Sequence, residues 1–341
     1  MTAPPLAMGV VGVGSLGFHH ARILGQLEGV TRVGVYDTDR ARAATVSEQL
    51  GVPAFDSLEE LLARLDAVVV ATPTHSHESV ACAALERGVH VFIEKPIAPS
   101  LASADRILEA AARTQAQVQV GHVERFNAAV LAAQEYLQTP LFIEVHRMAP
   151  FVPRSTDVPV VLDLMIHDVD LVRAFVGQPI ESIAATGVPV ITGLADIANA
   201  RLTFEGGAVA NLTASRVSME RMRKIRVFQR SGYLSLDLAR GTGEFLRLRG
   251  GLPALEGLRA GDPVPVSGGQ AWEAALAALV ERIPIVGGEG EPLKRELESF
   301  RDVLSGGGTP IVSGLEGRDA LAVALSIEEL IRSHVADSRT A

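Results

Sequence analysis

The sequence predicts two domains of different class: an α/β domain with a mainly parallel, doubly wound sheet over residues 1–121, and an α+β domain with a mostly antiparallel sheet over residues 122–341. Three observations carry that expectation. In the first third, short apolar runs alternate with helical stretches, the pattern of parallel strands covered on both faces. A Gly-x-Gly-x-x-Gly turn joins the first apolar run to the first helix. After Gly121, strand-like runs succeed one another across short turns such as Glu205-Gly206-Gly207, which implies antiparallel pairing. At 341 residues the chain also exceeds what a single core ordinarily serves.

Met8-Gly9-Val10-Val11-Gly12-Val13 reads as a short buried strand that runs into Gly12-Val13-Gly14-Ser15-Leu16-Gly17, ahead of a helix from Phe18 to Leu27. In that context Gly12 permits the tight turn, Gly14 lets backbone approach a pyrophosphate, and Gly17 lets helix and strand pack closely. The pyrophosphate would sit over Ser15 and Leu16, at the positive end of the helix. The strand Arg32–Tyr36 then delivers Asp37 about 20 residues after the last glycine, where a carboxylate can accept hydrogen bonds from the adenosine ribose. Strand, turn, helix, strand and acid together predict a Rossmann domain that binds a dinucleotide. A carboxylate at Asp37 would repel a 2′-phosphate, so NAD is expected over NADP; Arg40 could soften that preference, but Asp39 stands beside it.

The strand Asp66–Ala71 leads into Thr72-Pro73-Thr74-His75-Ser76-His77 and a helix to about Arg87. A strand from Val89 to Ile93 ends in Glu94-Lys95-Pro96, a helix covers Ser100 to Thr114, and Gln117–Gly121 forms a further strand. Ligands of such sheets collect at the carboxyl ends of the strands, so Thr72, Pro73, His77, Glu94 and Lys95 are expected to border one crevice. Beyond Gly121, helices over 124–137 and 160–176 bracket an extended segment, Leu141–Arg147. Strands are expected over 198–204, 208–215, 224–229 and 233–238, a Gly- and Pro-rich loop over 250–269, and helices starting at Ala271, Pro292 and Leu315.

Composition narrows the function. A net charge of −9 argues against a nucleic-acid surface. The single cysteine, Cys82, cannot form an internal disulfide and reads as a small buried hydrophobe. The start of the chain lacks the basic and apolar regions of a signal peptide, and no apolar stretch is long enough to span a bilayer, so the expected compartment is the cytoplasm.

Three lysines, Lys95, Lys224 and Lys294, occur in a chain otherwise rich in arginine. Lys95 is of interest because lysine can exchange a proton at accessible cost, whereas arginine stays charged. Asp163 and His167 are spaced i, i+4 in the helix that follows Pro159, which places them on one face. Spacing alone leaves this as either a solvent-facing pair or a site. Two ligands without a third give no support for a metal.

Taken in order, Gly12 to Gly17, Glu94-Lys95-Pro96, and Asp163 with His167 resemble the Gfo/Idh/MocA family of sugar and cyclitol dehydrogenases over the whole chain. The resemblance implies a large open sheet in the second domain, and assembly as a homodimer or homotetramer. It also implies that Lys95, Asp163 and His167 act around the reacting hydroxyl. For Lys95 to be a neutral base, its pKa would have to fall from about 10.4 to near neutrality, a cost of roughly 4 kcal/mol. An imidazole titrates there unaided. His167 is therefore the expected base, Asp163 its orienting group, and charged Lys95 the stabiliser of the alkoxide.

The segments Gly121–Asn127, Val145–Arg147, Pro153–Ser155, Asp196–Leu202 and Ala214–Ser218 resemble the branch of UDP-N-acetylglucosamine 3-dehydrogenases, whose keto product a transaminase consumes. Candidate substrate residues are Arg125, Arg147, Arg154 and Arg216, of which the last opens the basic stretch Arg216 to Arg230. Adjacent strand positions face opposite ways, so Arg223 and Lys224 cannot both line one pocket without a bulge. An inositol or simple sugar dehydrogenase, an NAD-dependent glycosidase and a non-catalytic NAD-responsive regulator are the competing readings.

Overall fold

In the computed structural model, residues 4–152, 158–249 and 279–340 are described. β1 (Leu6–Val11), β2 (Val30–Tyr36), β3 (Ala67–Val70), β4 (His90–Glu94) and β5 (Val118–Gly121) form a sheet in the order β2-β1-β3-β4-β5, parallel throughout. Val68, Val69, Val70, Val91, Phe92 and Ile93 are fully buried, as strands covered on both faces must be. The intervening helices are α1 (Ser15–Leu24), α2 (Arg40–Leu50), α3 (Leu58–Leu62), α4 (His77–Leu85) and α5 (Leu101–Thr114). Asp39, Ser57 and Ser100 cap α2, α3 and α5, each accepting a backbone N–H of the first turn. Because the strands run the same way, the residues that follow β1, β2, β3 and β4 lie along one edge of the sheet.

The chain divides into two compact units, Met1–Phe126 with Gly290–Leu325, and Asn127–Glu289 with Ser326–Ala341. This differs from the expected split at 121/122 in two ways. The 3-10 turn Val123–Phe126 stays with the first unit, and the break falls at Asn127, whose side chain accepts the Ala129 N–H (3.1 Å) and caps α6 (Ala128–Ala133). The cap breaks the continuous helix expected over 124–137. The chain also returns. Helix Pro292–Gly306 places Leu293, Leu297 and Phe300 in the core of the first unit with Met8, Val10 and Phe92, and the Phe92 and Phe300 rings are 5.9 Å apart. Gly314 and Gly317, at the start of helix Gly314–Thr340, lie so close to Val118 and Val120 that a Cβ at Gly317 would come within 2.4 Å of Val120 Cγ2.

In the second unit, β6 (Pro140–Met148), β7 (Ile180–Val188), β8 (Ile197–Phe204), β9 (Val209–Ser215), β10 (Met222–Gln229), β11 (Gly232–Asp237), β12 (Thr242–Leu248) and β13 (Val280–Val286) form one sheet. Its order is β13-β12-β11-β10-β6-β9-β8-β7, antiparallel except for the β6–β9 pair. The sequence pattern does not single out β7, β12 or β13. Among the described residues β13 is an edge strand, a position that tolerates its Pro284. α7 (Ile166–Val176) packs against β6 and β9, and its Val169 and Val172 are fully buried. The expected helix 160–176 is not uniform: Val161–Met165 forms a π turn, in which the Ile166 N–H reaches the Val161 carbonyl. The loop expected over 250–269, the helix expected from Ala271, and Arg154 lie outside the described residues.

Candidate active site

The turn after β1 is shaped by its glycines. Gly12 has φ +85°, and a Cβ there would come within 2.7 Å of the Thr72 backbone nitrogen. A Cβ at Gly17 would lie 1.8 Å from the Gly12 carbonyl oxygen, so close packing at that position excludes every other residue. Around Gly14 the space is open, with no atom within 4 Å of where a Cβ would stand. No side chain caps α1, and Ser15 and Leu16 in its first turn are exposed. Backbone N–H groups at the positive end of α1 thus face open space, as an incoming phosphate requires.

Asp37 is buried at the end of β2. Its Oδ2 accepts the Val13 N–H (2.8 Å) and its Oδ1 the Asp39 N–H (2.9 Å), which ties the acid to the glycine turn. Gly12, Gly14, Asp37, Thr72 and Pro73 line one cavity of about 320 Å³. The Thr72 hydroxyl in its wall is buried without a hydrogen-bond partner. The open cradle over Gly14, the uncapped helix and the orphan hydroxyl all fit a dinucleotide. Arg42 is a residue that sequence reasoning missed: it lines this cavity 3.5 Å from Asp37, while Arg40 turns toward Asp56. The available signal was Asp39 as helix cap, since the residue three positions on faces back over the start of α2.

At the end of β4, Lys95 is half-buried and its peptide bond to Pro96 is cis. The residues on either side of it are held from below. Glu94 is buried, and its Oε1 lies 2.6 Å from His20 Nε2. His77 is buried with Nδ1 3.0 Å from the Pro96 carbonyl oxygen and Nε2 2.9 Å from that of Thr72. His77 and Glu94 therefore brace the loops that carry Thr72 and Lys95. Cys82, on α4, has its thiol pKa raised by burial and lacks the character of a reactive thiol.

Burial lowers the pKa of His77 below its ordinary 6.5, against the two carbonyl hydrogen bonds and Glu94, which favour the charged ring. The unfolded chain takes up this proton near pH 6.5 and the folded chain resists it. Stability from this group is therefore complete above that pH and is lost as pH falls through the lower, folded value. The urea midpoint of the protein is expected to drop between about pH 7.5 and 5.5, with His77 supplying at most about 1.4 kcal/mol per pH unit. A His77→Gln variant should show a shallower decline; an equal slope would remove His77 as a source.

In the second unit, Asp163 lies in the π turn and His167 in the first turn of α7. Asp163 lines a cavity of about 290 Å³ with Arg147, Arg216, Arg221 and Arg223. Two of the arginines expected at a substrate are engaged by buried carboxylates. Arg147 binds Asp168 through two hydrogen bonds of 2.8 and 2.7 Å. Arg216 donates to Asp196 (2.8 Å), to the Val158 carbonyl (2.6 Å) and to Thr192 Oγ1 (3.0 Å). Asp196 also accepts the N–H groups of Val190, Ile191 and Thr192. Burial opposes its charge, yet these donors and Arg216 overcome it and hold the carboxyl well below the usual range. Arg125 belongs to the first unit, 3.6 Å from Glu316. Among the described residues, no group of three or more potential ligands could hold a metal, and no helix is long and apolar enough to cross a membrane.

A family model described as "Oxidoreductase family, NAD-binding Rossmann fold" matches residues 6–122, and that of the GFO/IDH/MocA C-terminal domain matches residues 109–235. The UDP-N-acetylglucosamine 3-dehydrogenase of Acidithiobacillus ferrooxidans is 34% identical over 327 residues, covering 95% of this chain and 97% of that protein. A solved structure of the enzyme from that organism has a TM-score of 0.85 at 32% identity, covering 97% of this chain and 99% of the other. The inositol 2-dehydrogenase of Rubrobacter xylanophilus is 31% identical over 227 residues, covering 62% of this chain and 65% of that protein.

Proposed function

Because the chain belongs to the Gfo/Idh/MocA family of oxidoreductases, with an NAD-binding Rossmann domain, we propose that it oxidises the 3-hydroxyl of UDP-N-acetylglucosamine to a ketone. The observation that carries this reading is the extent of the likeness. The match to the nucleotide-sugar enzyme spans 95% of the chain and so includes the second unit, whereas the match to the inositol enzyme spans 62%. The keto sugar so formed is a substrate suited to a transaminase.

Gly12, Gly14 and the first turn of α1 would hold the pyrophosphate of NAD, with Asp37 on the adenosine ribose and Thr72 and Pro73 along the cavity wall. When bound, NAD supplies the acceptor for the hydride that leaves the carbon bearing the hydroxyl. In this reading His167 removes the hydroxyl proton, Asp163 orients the imidazole, and Lys95 presents a positive charge to the oxygen as its negative charge grows. The role of Asp163 draws support from its setting, since π turns are frequent at functional sites, and His167 follows in the first turn of α7.

The test is nicotinamide absorbance during incubation of the protein with NAD and UDP-N-acetylglucosamine, with myo-inositol as comparison and the ketone trapped chemically. NADH formation with the nucleotide sugar and none with inositol is the expected result. Turnover with inositol alone would replace this substrate with a cyclitol.

A further inference from the structure

We propose that Arg42 is a specificity-determining residue of the dinucleotide cavity: its guanidinium receives the 2′-phosphate of NADP, which gives the protein a second, weaker cofactor beside NAD. Arg42 lines this cavity with Gly12, Gly14, Asp37 and Thr72, and it is the one cationic side chain among the described lining residues. The acid it faces is fixed. Asp37 accepts the Val13 N–H with one carboxylate oxygen (2.8 Å) and the Asp39 N–H with the other (2.9 Å), so it stays in place whichever cofactor arrives. Any tolerance of a phosphate on the adenosine ribose therefore has to come from a neighbour that can move.

Arg42 is held loosely enough to do so. Its guanidinium lies 3.5 Å from Asp37 Oδ2 and 3.2 Å from Asp39 Oδ2, both beyond the roughly 2.7–2.9 Å of a charge-assisted hydrogen bond. The side chain is 50% exposed, whereas Arg147, locked by two short bonds to Asp168, is 4% exposed. Exposed ion pairs of this kind are worth little, so leaving them costs little. A phosphate monoester carries more charge than a carboxylate and offers three acceptor oxygens to the arginine fork, so it outcompetes either aspartate. The backbone aims the residue at that spot. Asp39 caps α2 by accepting the Arg42 N–H (3.1 Å), which makes Arg42 the third residue of the helix and turns it back over the end of β2. Arg40, at the first position, is directed to Asp56 instead. The ribose hydroxyls of NAD ask only for an acceptor, which Asp37 supplies without Arg42. Losing the arginine therefore weakens NADP far more than NAD.

The test is calorimetric titration of the whole protein with NADH and NADPH, and with 5′-AMP and 2′,5′-ADP, which carry the adenosine end alone. No sugar substrate is involved, so the outcome is independent of which sugar is oxidised. The wild-type protein is expected to bind NADH more tightly than NADPH. Arg42→Ala should weaken NADPH and 2′,5′-ADP by on the order of tenfold to a hundredfold, and NADH and 5′-AMP by no more than about threefold. Arg42→Lys, which keeps the charge without the fork, should recover part of the loss. The same loss is expected when Arg42→Ala is made in an Asp37→Ser protein, where no charge at that position is left for Arg42 to mask. If the loss vanishes in that background, Arg42 acts only by masking Asp37 and the phosphate contact is wrong. Wild-type protein that binds neither NADPH nor 2′,5′-ADP would overturn the proposal, as would an Arg42→Ala protein that loses NADH and NADPH equally. Arg42 is half-exposed, so its variants should keep the wild-type urea midpoint, and Asp37→Asn serves the same comparison if Asp37→Ser fails to fold.

Discussion

Replacing Lys95 with methionine is expected to lower kcat by on the order of a hundredfold to a thousandfold, the usual loss when a donor facing a developing oxyanion is removed. Methionine keeps the apolar stem and deletes the charge. The loop should survive the change, because its neighbours hold it: Glu94 is fixed by His20 and the Pro96 carbonyl by His77. A Lys95→Arg variant separates two roles. It keeps the charge but cannot release a proton, so it should retain far more activity than the methionine variant if Lys95 acts electrostatically. A loss as deep as that of methionine would point instead to proton transfer by Lys95. Steady-state rates across pH complete the comparison, since His167→Ala should abolish the limb that reports the base. If that limb persists, the proton is taken by another group.

The second large effect is on stability. Asp168→Ala should destabilise the second unit by about 3–5 kcal/mol, the cost of leaving a buried charge without its partner. Arg147 is 4% exposed and grips Asp168 through two hydrogen bonds, so water cannot take over. Replacing both residues, Arg147→Met with Asp168→Leu, should recover most of the loss, because a buried ion pair gains little over an apolar pair of similar volume. Urea unfolding of the variants checks both statements. A midpoint that stays at the wild-type value in Asp168→Ala would mean that Arg147 is not sealed in the folded protein.

The two units were unequally legible in the sequence. Parallel strands buried on both faces leave continuous apolar runs, and the glycine turn can be read because each glycine answers a geometric demand, most plainly at Gly17, where no side chain fits. The acid at Asp37 followed from spacing. The neighbouring cation did not, since choosing Arg42 over Arg40 depends on where α2 begins. In the second unit the arginines could be listed but not sorted. Arg147 and Arg216 are neutralised by Asp168 and Asp196, which are about 20 residues away in the chain and meet them only in the fold. Strand parity did separate Arg223 from Lys224, because alternation is a local property that needs no knowledge of partners. The π turn at Asp163 leaves no compositional mark.

The return of the chain to its first sheet delays the completion of the unit that is begun first. During synthesis the strands β1 to β5 emerge first, yet the core they share with Leu293, Leu297 and Phe300 stays open until helix Pro292–Gly306 has been made. The strands of the second sheet, contiguous from β6 to β13, are all produced in that interval. The unit born first is therefore closed only after the sheet of the second has been made. A nascent chain carries the apolar side chains of Met8, Val10 and Phe92 without their final cover through most of its production, the period in which exposed surface of this kind invites chaperones or self-association.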